Sequence, residues 1–427
     1  MRIFAAALAL ALLPGAVLAQ NGKAVLTLRD AVALAVRNSP AALAAEQDII
    51  IARQRVHEAR FMAMPQFALS GSLNRVNLEY PAVLGSELGN RYIDPSAGNE
   101  FYSMRAEALQ PLYTGGKNTN TLKLAKTAHN QAKVNFDTVR ADAALAAKKV
   151  FYTLLYQRRL SAAAAGWAAR GNDLAGAVQK DAFEALEADM LLAALADQAR
   201  QAERGSAAAF TDLRRVLNKE PGWQGDIEGE FAVLPVETAA GTSLVTAMEA
   251  RSELKSEIYK AQMDDIAVNM AMVRRYPTIY LGASYDVNSY KFSSLAEEND
   301  RSSNWLASVS IHFPLSYDIW TQVQQRKAQR RQGELKRAEL QDQIRFEIIS
   351  AHKEAAFWQE EAEKLRSEFE KARAAYEKAA RAARPSMPAL RAMSALCSLE
   401  GKYLQAVYSQ LLARIRLEWA QGRDFAN

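Results

Sequence analysis

From Ile279 the chain alternates: Ile279, Leu281, Ala283, Tyr285 and Val287 are apolar or aromatic, and Tyr280, Gly282, Ser284, Asp286 and Asn288 fall between them. A period of two predicts a strand with one apolar face and one mostly polar face. A second run does the same, with Trp305, Ala307, Val309, Ile311 and Phe313 set against Leu306, Ser308, Ser310 and His312. Two earlier runs match them. Tyr102, Met104, Ala106 and Ala108 alternate with Ser103, Arg105, Glu107 and Leu109, while Phe67, Leu69, Gly71 and Leu73 begin a strand whose alternation slips near Arg75-Val76. Four strands are expected.

Elsewhere the period changes. Ile344, Ile348, Ala351, Ala355, Trp358, Ala362, Leu365, Phe369, Ala372, Tyr376 and Ala379 keep a 4-3-4-3 spacing, the seam of a coiled coil. Similar seams run through Leu122, Ala125, His129, Ala132, Phe136, Val139, Ala143, Ala146 and Val150, and through Leu192, Leu195, Ala199, Ala202, Ser206, Ala209, Leu213 and Val216. Alanine at so many seam positions lets helix axes approach closely. From Lys117 to Phe183 no proline interrupts the chain, so one helix there would be about 100 Å long at roughly 1.5 Å per residue. A compact globule of this length has a radius of gyration of about 22 Å. The molecule is expected to be elongated.

The pattern also repeats itself. Pro65 to Ser72 lines up with Pro277 to Ser284, Gln110-Pro111-Leu112 with Phe313-Pro314-Leu315, and Leu217 to Gly222 with Leu417 to Gly422. A unit of about two hundred residues is used twice, each copy reading as helix, strand, loop, strand, long helix, short turn, helix. The expected division is a leader over 1–19, a first repeat over 20–222, an equatorial connecting segment over 223–241, a second repeat over 242–422 and a tail over 423–427. Pro65, Pro111, Gly115, Gly116, Pro277 and Pro314 mark the expected strand–helix junctions.

Arg2, the apolar run Ile3 to Leu13, the Pro14-Gly15 break and Val17-Leu18-Ala19 predict a secretory leader cleaved near Gln20. The run is too short to span a bilayer. No cysteine follows the cleavage site, so no N-terminal lipid anchor is expected, and Cys397 reads as a small buried residue. One cysteine also excludes a disulfide scaffold. With a net charge of +5 over 427 residues, the chain does not point to nucleic acid.

Chemistry is sparse. His57, His129, His312 and His352 lack ligand spacing, so no metal site is expected, and no cofactor fingerprint or nucleophile motif occurs. Asp264-Asp265 and Glu360-Glu361 are neighbours that point to different sides of a helix, and Gly115-Gly116 reads as a junction rather than a phosphate cradle. The basic run Arg326, Lys327, Arg330, Arg331, Lys336 and Arg337, interleaved with Gln and Glu, reads as a solvated helix face. An enzyme is not expected.

Strands with one apolar face fit a soluble sandwich or an outer-membrane barrel. Tyr276, Tyr280, Trp305, Tyr317 and Trp320 gather near strand ends, where amphipathic rings meet headgroups, and tip the balance to a barrel in outer-membrane lipid. Four strands cannot close one, since the smallest bacterial barrels have about eight. A spanning form must oligomerise, and three chains supply twelve strands. Arg105, Glu107, Asp286 and Asn288 then fall on the lumen side.

At this point the residues resemble the TolC-type outer-membrane efflux proteins. Leu26-Thr27-Leu28-Arg29-Asp30-Ala31-Val32-Ala33-Leu34-Ala35, followed by Asn38-Ser39-Pro40, looks like that family's opening helix. Pro65 before the first strand, and Leu109-Gln110-Pro111-Leu112-Tyr113-Thr114-Gly115-Gly116-Lys117 after the second, are similar to its most recognisable stretch. Leu417-Glu418-Trp419-Ala420-Gln421-Gly422 is close to its closing segment. The resemblance implies a mainly α fold with transmembrane β, in which a homotrimer forms a twelve-stranded outer-membrane barrel continuing into a helical coiled-coil tunnel through the periplasm. It implies docking to a periplasmic adaptor protein and an inner-membrane pump of the proton-driven (RND) or ABC type.

Docking and gating are expected at the helix-to-helix turns. In the second repeat the turn reads Arg384-Pro385-Ser386-Met387-Pro388, with Ser386 able to cap the next helix. The repeat offset places its counterpart at Glu184, Ala185, Leu186, Glu187 and Ala188, where the family's usual tip glycine is missing. The rival expectation is a periplasmic or surface coiled-coil scaffold, which explains the heptads but not the strands.

Overall fold

A computed structural model describes residues 25–75, 100–177, 181–236, 239–289, 291–297, 301–314, 317–382 and 385–423. The expected leader, the slip at Val76, Arg384 of the turn and most of the tail lie outside them.

The first repeat contains α1 (Leu28–Asn38), α2 (Pro40–Phe61), β2 (Gln66–Arg75), β3 (Glu100–Tyr113), α3 (Lys117–Ala177) and α4 (Ala182–Val216). The second repeats the order as α5 (Ala240–Ala250), α6 (Ser252–Val273), β5 (Thr278–Ser289), β6 (Ser302–His312), α7 (Asp318–Ala382) and α8 (Met387–Ala420). Two-residue strands β1 (Val25–Leu26) and β4 (Asp226–Ile227) pair in parallel, tying the chain's start to the connecting segment. Corresponding helices match in length: α1 and α5 have 11 residues each, and α2 and α6 have 22. The repeat read from sequence is the repeat of the fold.

One element was unforeseen: the opening helix of each repeat is two helices. Ser39 leaves the helical region, its side chain accepts from the Ala42 N–H, and Pro40 occupies the first turn. Thr27 and Asp30 form a capping box on α1, with Thr27 Oγ1 2.7 Å from Asp30 Oδ2. Arg251 takes the place of Ser39 in the second repeat without a side-chain cap. Sequence supplied a Ser-Pro signal in one copy only.

At 65 residues, α7 is about 98 Å long. It lies along α8, α6 and α5, and buries its expected seam: Ile344, Ile348, Ala351, Ala355, Ala362 and Phe369 are in the core. On α4 the seam holds as well, with Leu195, Ala202, Ala209 and Leu213 buried. On α3 it is displaced by one residue: Ala144, Ala147, Phe151 and Leu154 are buried while Ala146 is exposed. That helix packs on α1, α2, α4, α6 and α8, so several neighbours rather than one partner set its inward face.

The largest core cluster joins Leu26, Val32, Ala144, Phe151, Leu154, Leu213, Ile227, Val407, Leu411 and Ile415 from both repeats. Asn38 Nδ2 donates to Leu217 O and Asn218 Nδ2 to Asn38 O, each at 3.3 Å, which locks the end of α1 to the end of α4. Fully buried Gln410 accepts from the Leu234 N–H at 3.1 Å and donates back to its carbonyl, so the connecting segment is clamped onto α8. A second cluster near the far end of the hairpins contains Trp167, Leu195, Phe369, Met387, Leu390, Met393 and Cys397.

Candidate functional site

The four long strands form one antiparallel sheet in the order β2-β3-β5-β6, and the β3–β5 pair joins the two repeats. Its register aligns Leu69, Ala106, Tyr285 and Trp305 across all four strands, and next to them Phe67, Ala108, Ala283 and Ala307. Among the described residues nothing packs on that face. Phe67 is 79% exposed, Leu69 74% and Trp305 79%, with Val309, Ile311 and Phe313 also bare. Aromatic residues flank the face at both ends: Tyr276, Trp320 and the 99% exposed Tyr317 beside the helices, and Tyr102, Phe292 and Trp305 toward the far end.

The opposite face carries the expected lumen residues together. Arg105 stands opposite Asp286 across β3 and β5, and the guanidinium forms an ion pair with that carboxylate. Ser284 Oγ donates to Asp286 at 3.3 Å, Glu107 stands opposite Ser284, and Asn288 lies between Ser103 and Ser302. Sequence alternation placed these four residues on one face without showing that two of them pair.

The junctions hold the sheet to the helices. Gly115 and Gly116 have φ of +63° and +93°, the left-handed region in which glycine is at ease. A Cβ on Gly115 would lie 2.8 Å from Tyr276 Cβ, so the first repeat's turn nests against the second's. Pro65 and Pro277 directly precede β2 and β5 as expected. Pro111 does not leave the strand: β3 continues to Tyr113, with a register irregularity between Pro111 and Tyr113 that absorbs the missing N–H. Gln110 Nε2 donates to Ala63 O at 3.1 Å and Asn118 Nδ2 to Met62 O at 3.0 Å, which ties the end of α2 to the start of α3. Pro314 follows the end of β6.

The hairpin ends correct the sequence reading in three places. Glu184, Ala185, Leu186 and Glu187 are not a turn but the start of α4; the break falls between Ala177 and Ala182, and Asp181 caps α4 by accepting from the Glu184 N–H at 2.7 Å. The offset between repeats therefore ran a few residues too far. Ser386 sits at the N-cap of α8 but its hydroxyl makes no cap hydrogen bond; its carbonyl accepts from Ala389 instead. Met387 is 3% exposed in the second cluster and so is unavailable for docking, unlike exposed Pro385.

Two features there went unread in the sequence. Arg391 Nε and Nη2 donate to both carboxylate oxygens of Glu187 at 2.5 Å, joining α8 to α4 and holding that carboxyl below its usual range. Phe183, Leu186 and Met190 recur at i, i+3 and i+7 with their side chains exposed. Had the helix start been placed at Asp181, this stripe could have been read.

Of the histidines, His129 lies partly buried on α3, and burial together with Lys133 and Arg53 lowers its pKa. Among the described residues no group of three or more His, Cys, Asp or Glu gathers to hold a metal, and no helix is long and apolar enough to cross a membrane.

Comparison with known proteins agrees with this geometry. Residues 31–185 match the family model of outer membrane efflux proteins. No curated protein matches the sequence. The outer membrane protein VceC from Vibrio cholerae is similar in fold, with a TM-score of 0.76 and 14% identity over 93% of this chain and 96% of VceC. A membrane protein from Pseudomonas aeruginosa gives 0.77 and 16% over 92% of both chains. The open state of the MtrE outer membrane channel of Neisseria gonorrhoeae gives 0.74 and 16% over 92% of this chain and 88% of MtrE. The resemblance read from the sequence is matched by the outer membrane efflux protein model over residues 31–185, and the chain shares the fold of solved outer-membrane channels. That family is one of transport channels, not enzymes.

Proposed function

We propose that the chain is the outer-membrane exit duct of a tripartite efflux or type I secretion system, passing solutes from an inner-membrane pump and periplasmic adaptor to the exterior. The observation that carries this reading is a four-stranded antiparallel sheet with one apolar face bare, continuous with helical hairpins close to 100 Å long. Strands of 10 to 14 residues suit a bilayer crossing. In hydrocarbon the edges β2 and β6 must find partners, and a homotrimer supplies them as a twelve-stranded barrel. The Arg105, Glu107, Asp286 and Asn288 face then lines the lumen, in contact with passing solutes.

The hairpin ends are the adaptor surface in this reading. Leu186 with Phe183 and Met190 offers an apolar stripe on α4, Glu184 and Glu187 belong to the same turns of helix, and Pro385 is exposed at the other hairpin end. The secretory leader expected over 1–19 accords with it. Membrane fractionation, native mass and conductance in planar bilayers test the proposal together: a trimer in the outer-membrane fraction that conducts supports it, and a monomer in the soluble periplasm returns the chain to the scaffold class. Cysteine crosslinking from Leu186, compared with Asn90 in the loop outside the described residues, tests the docking end.

A further inference from the structure

A cleft of about 710 Å³ opens between α1, α3, the α5–α6 junction and the end of α8. This is within the range of small-molecule sites, roughly 300 to 1,000 Å³. Its floor is apolar, made by Val36, Ala141 and the Trp419 ring. Trp419 is fixed from both sides: its indole N–H donates to Asp142 at 3.0 Å, and the Arg251 guanidinium lies 4.8 Å over the ring. Arg251 itself is spent, buried at 2.8 Å from Glu253 and 2.7 Å from Glu347.

The rim is different. Arg29, Arg37, Arg140, Lys255 and Arg423 line it, none of them in an ion pair among the described residues, and outside the Arg251 cluster only Asp137 opposes them. The first turn of α6 lines the same space through Ser252 and Glu253, and its N-cap Arg251 makes no side-chain cap hydrogen bond. Cations in excess over carboxylates, beside apolar walls, concentrate anionic ligands. We propose that the cleft binds an organic anion, a carboxylate or phosphate carried on a compact apolar body that packs against the apolar lining of Val36, Ala141 and Trp419. The site lies in the helical region away from the sheet, so it stands or falls independently of the channel reading.

The test is calorimetry on the full-length protein in a neutral detergent, with 2-naphthylacetate and 1-naphthyl phosphate as probes and neutral 2-naphthylacetamide as control. Either anion should bind at least tenfold more tightly than the amide. Arg29→Gln with Arg140→Gln should weaken anion binding at least tenfold without moving the melting temperature, while Arg29→Lys with Arg140→Lys retains it. Changes at exposed Arg326 and Lys327 should have no effect. Binding of the amide within threefold of both anions, binding untouched by the Gln pair, or no anion binding at all would overturn the assignment.

Discussion

The helical hairpins and the strand sheet use the same apolar residue types to opposite ends. In the hairpins Ile348 and Leu390 are fully buried within one chain, although Phe346 and Phe357 on α7 stay exposed. In the sheet Phe67, Leu69 and Trp305 remain about three-quarters exposed on a face that no described residue covers. An exposed apolar surface of this extent marks a contact with something else. The two regions therefore differ in what stabilises them: the hairpins have a core of their own, whereas the sheet, in the proposed channel, rests on lipid and on neighbouring strands.

The sharpest test of that difference is a matched deletion. Ile348→Ala should lower the stability of the helical region by about 2–5 kcal/mol in denaturant unfolding, as cavities in packed cores do. Leu69→Ala should change the same transition by no more than about 0.5 kcal/mol. Equal effects would mean that the sheet, too, is packed within the chain.

A charge test comes next. Val309→Arg, on the apolar face, should cost about 2–4 kcal/mol when folding is measured into lipid vesicles, while Ser310→Arg on the other face is tolerated. If both are tolerated, the apolar face does not meet hydrocarbon.

Thiol chemistry separates the regions by rate. Burial, then the Glu400 charge, pushes the Cys397 thiol up to about 11, and its Sγ–H donates to Gln198 Oε1 at 3.3 Å. Alkylation at neutral pH follows the thiolate, so Cys397 should react at least about a hundredfold more slowly than a cysteine at Ser70 on the sheet's polar face, made in a Cys397→Ser background. Comparable rates would place Cys397 outside a closed core.

The smallest effect compares the two hairpin ends. Asp181→Ala removes a side-chain cap and should cost about 1 kcal/mol, whereas Ser386→Ala removes a hydroxyl that caps nothing and should cost only a few tenths. Thermal unfolding of the pair reads the asymmetry directly.

Much of this architecture could be read beforehand. Period-two runs located all four strands, because alternation survives in any environment that differs between two faces. Heptads located the seams of α4 and α7, where a helix has few neighbours. On α3 the heptads miss by one residue, because five other helices set its inward face, and at Glu184 to Ala188 an offset between repeats was a poorer guide than the capping preference of Asp181. The split of each opening helix was hidden in the second repeat because Arg251 carries no breaking signal.

Lateral relations were invisible. Arg105 and Asp286 are far apart in sequence and become partners only through the β3–β5 register. Arg391 and Glu187 meet only because α8 folds back beside α4. The cationic cleft gathers residues from α1, α3, α6 and the chain end, none of which forms a motif.

By itself the sequence determined the period of each segment, the duplication and the resemblance to a family, since these rest on local residue preferences and on spacing along one chain. Tertiary structure alone decided which apolar face is covered, which charges pair and where cations crowd without partners. Those outcomes depend on distances between segments remote in sequence, and a distance of that kind exists only once the helices and strands have packed.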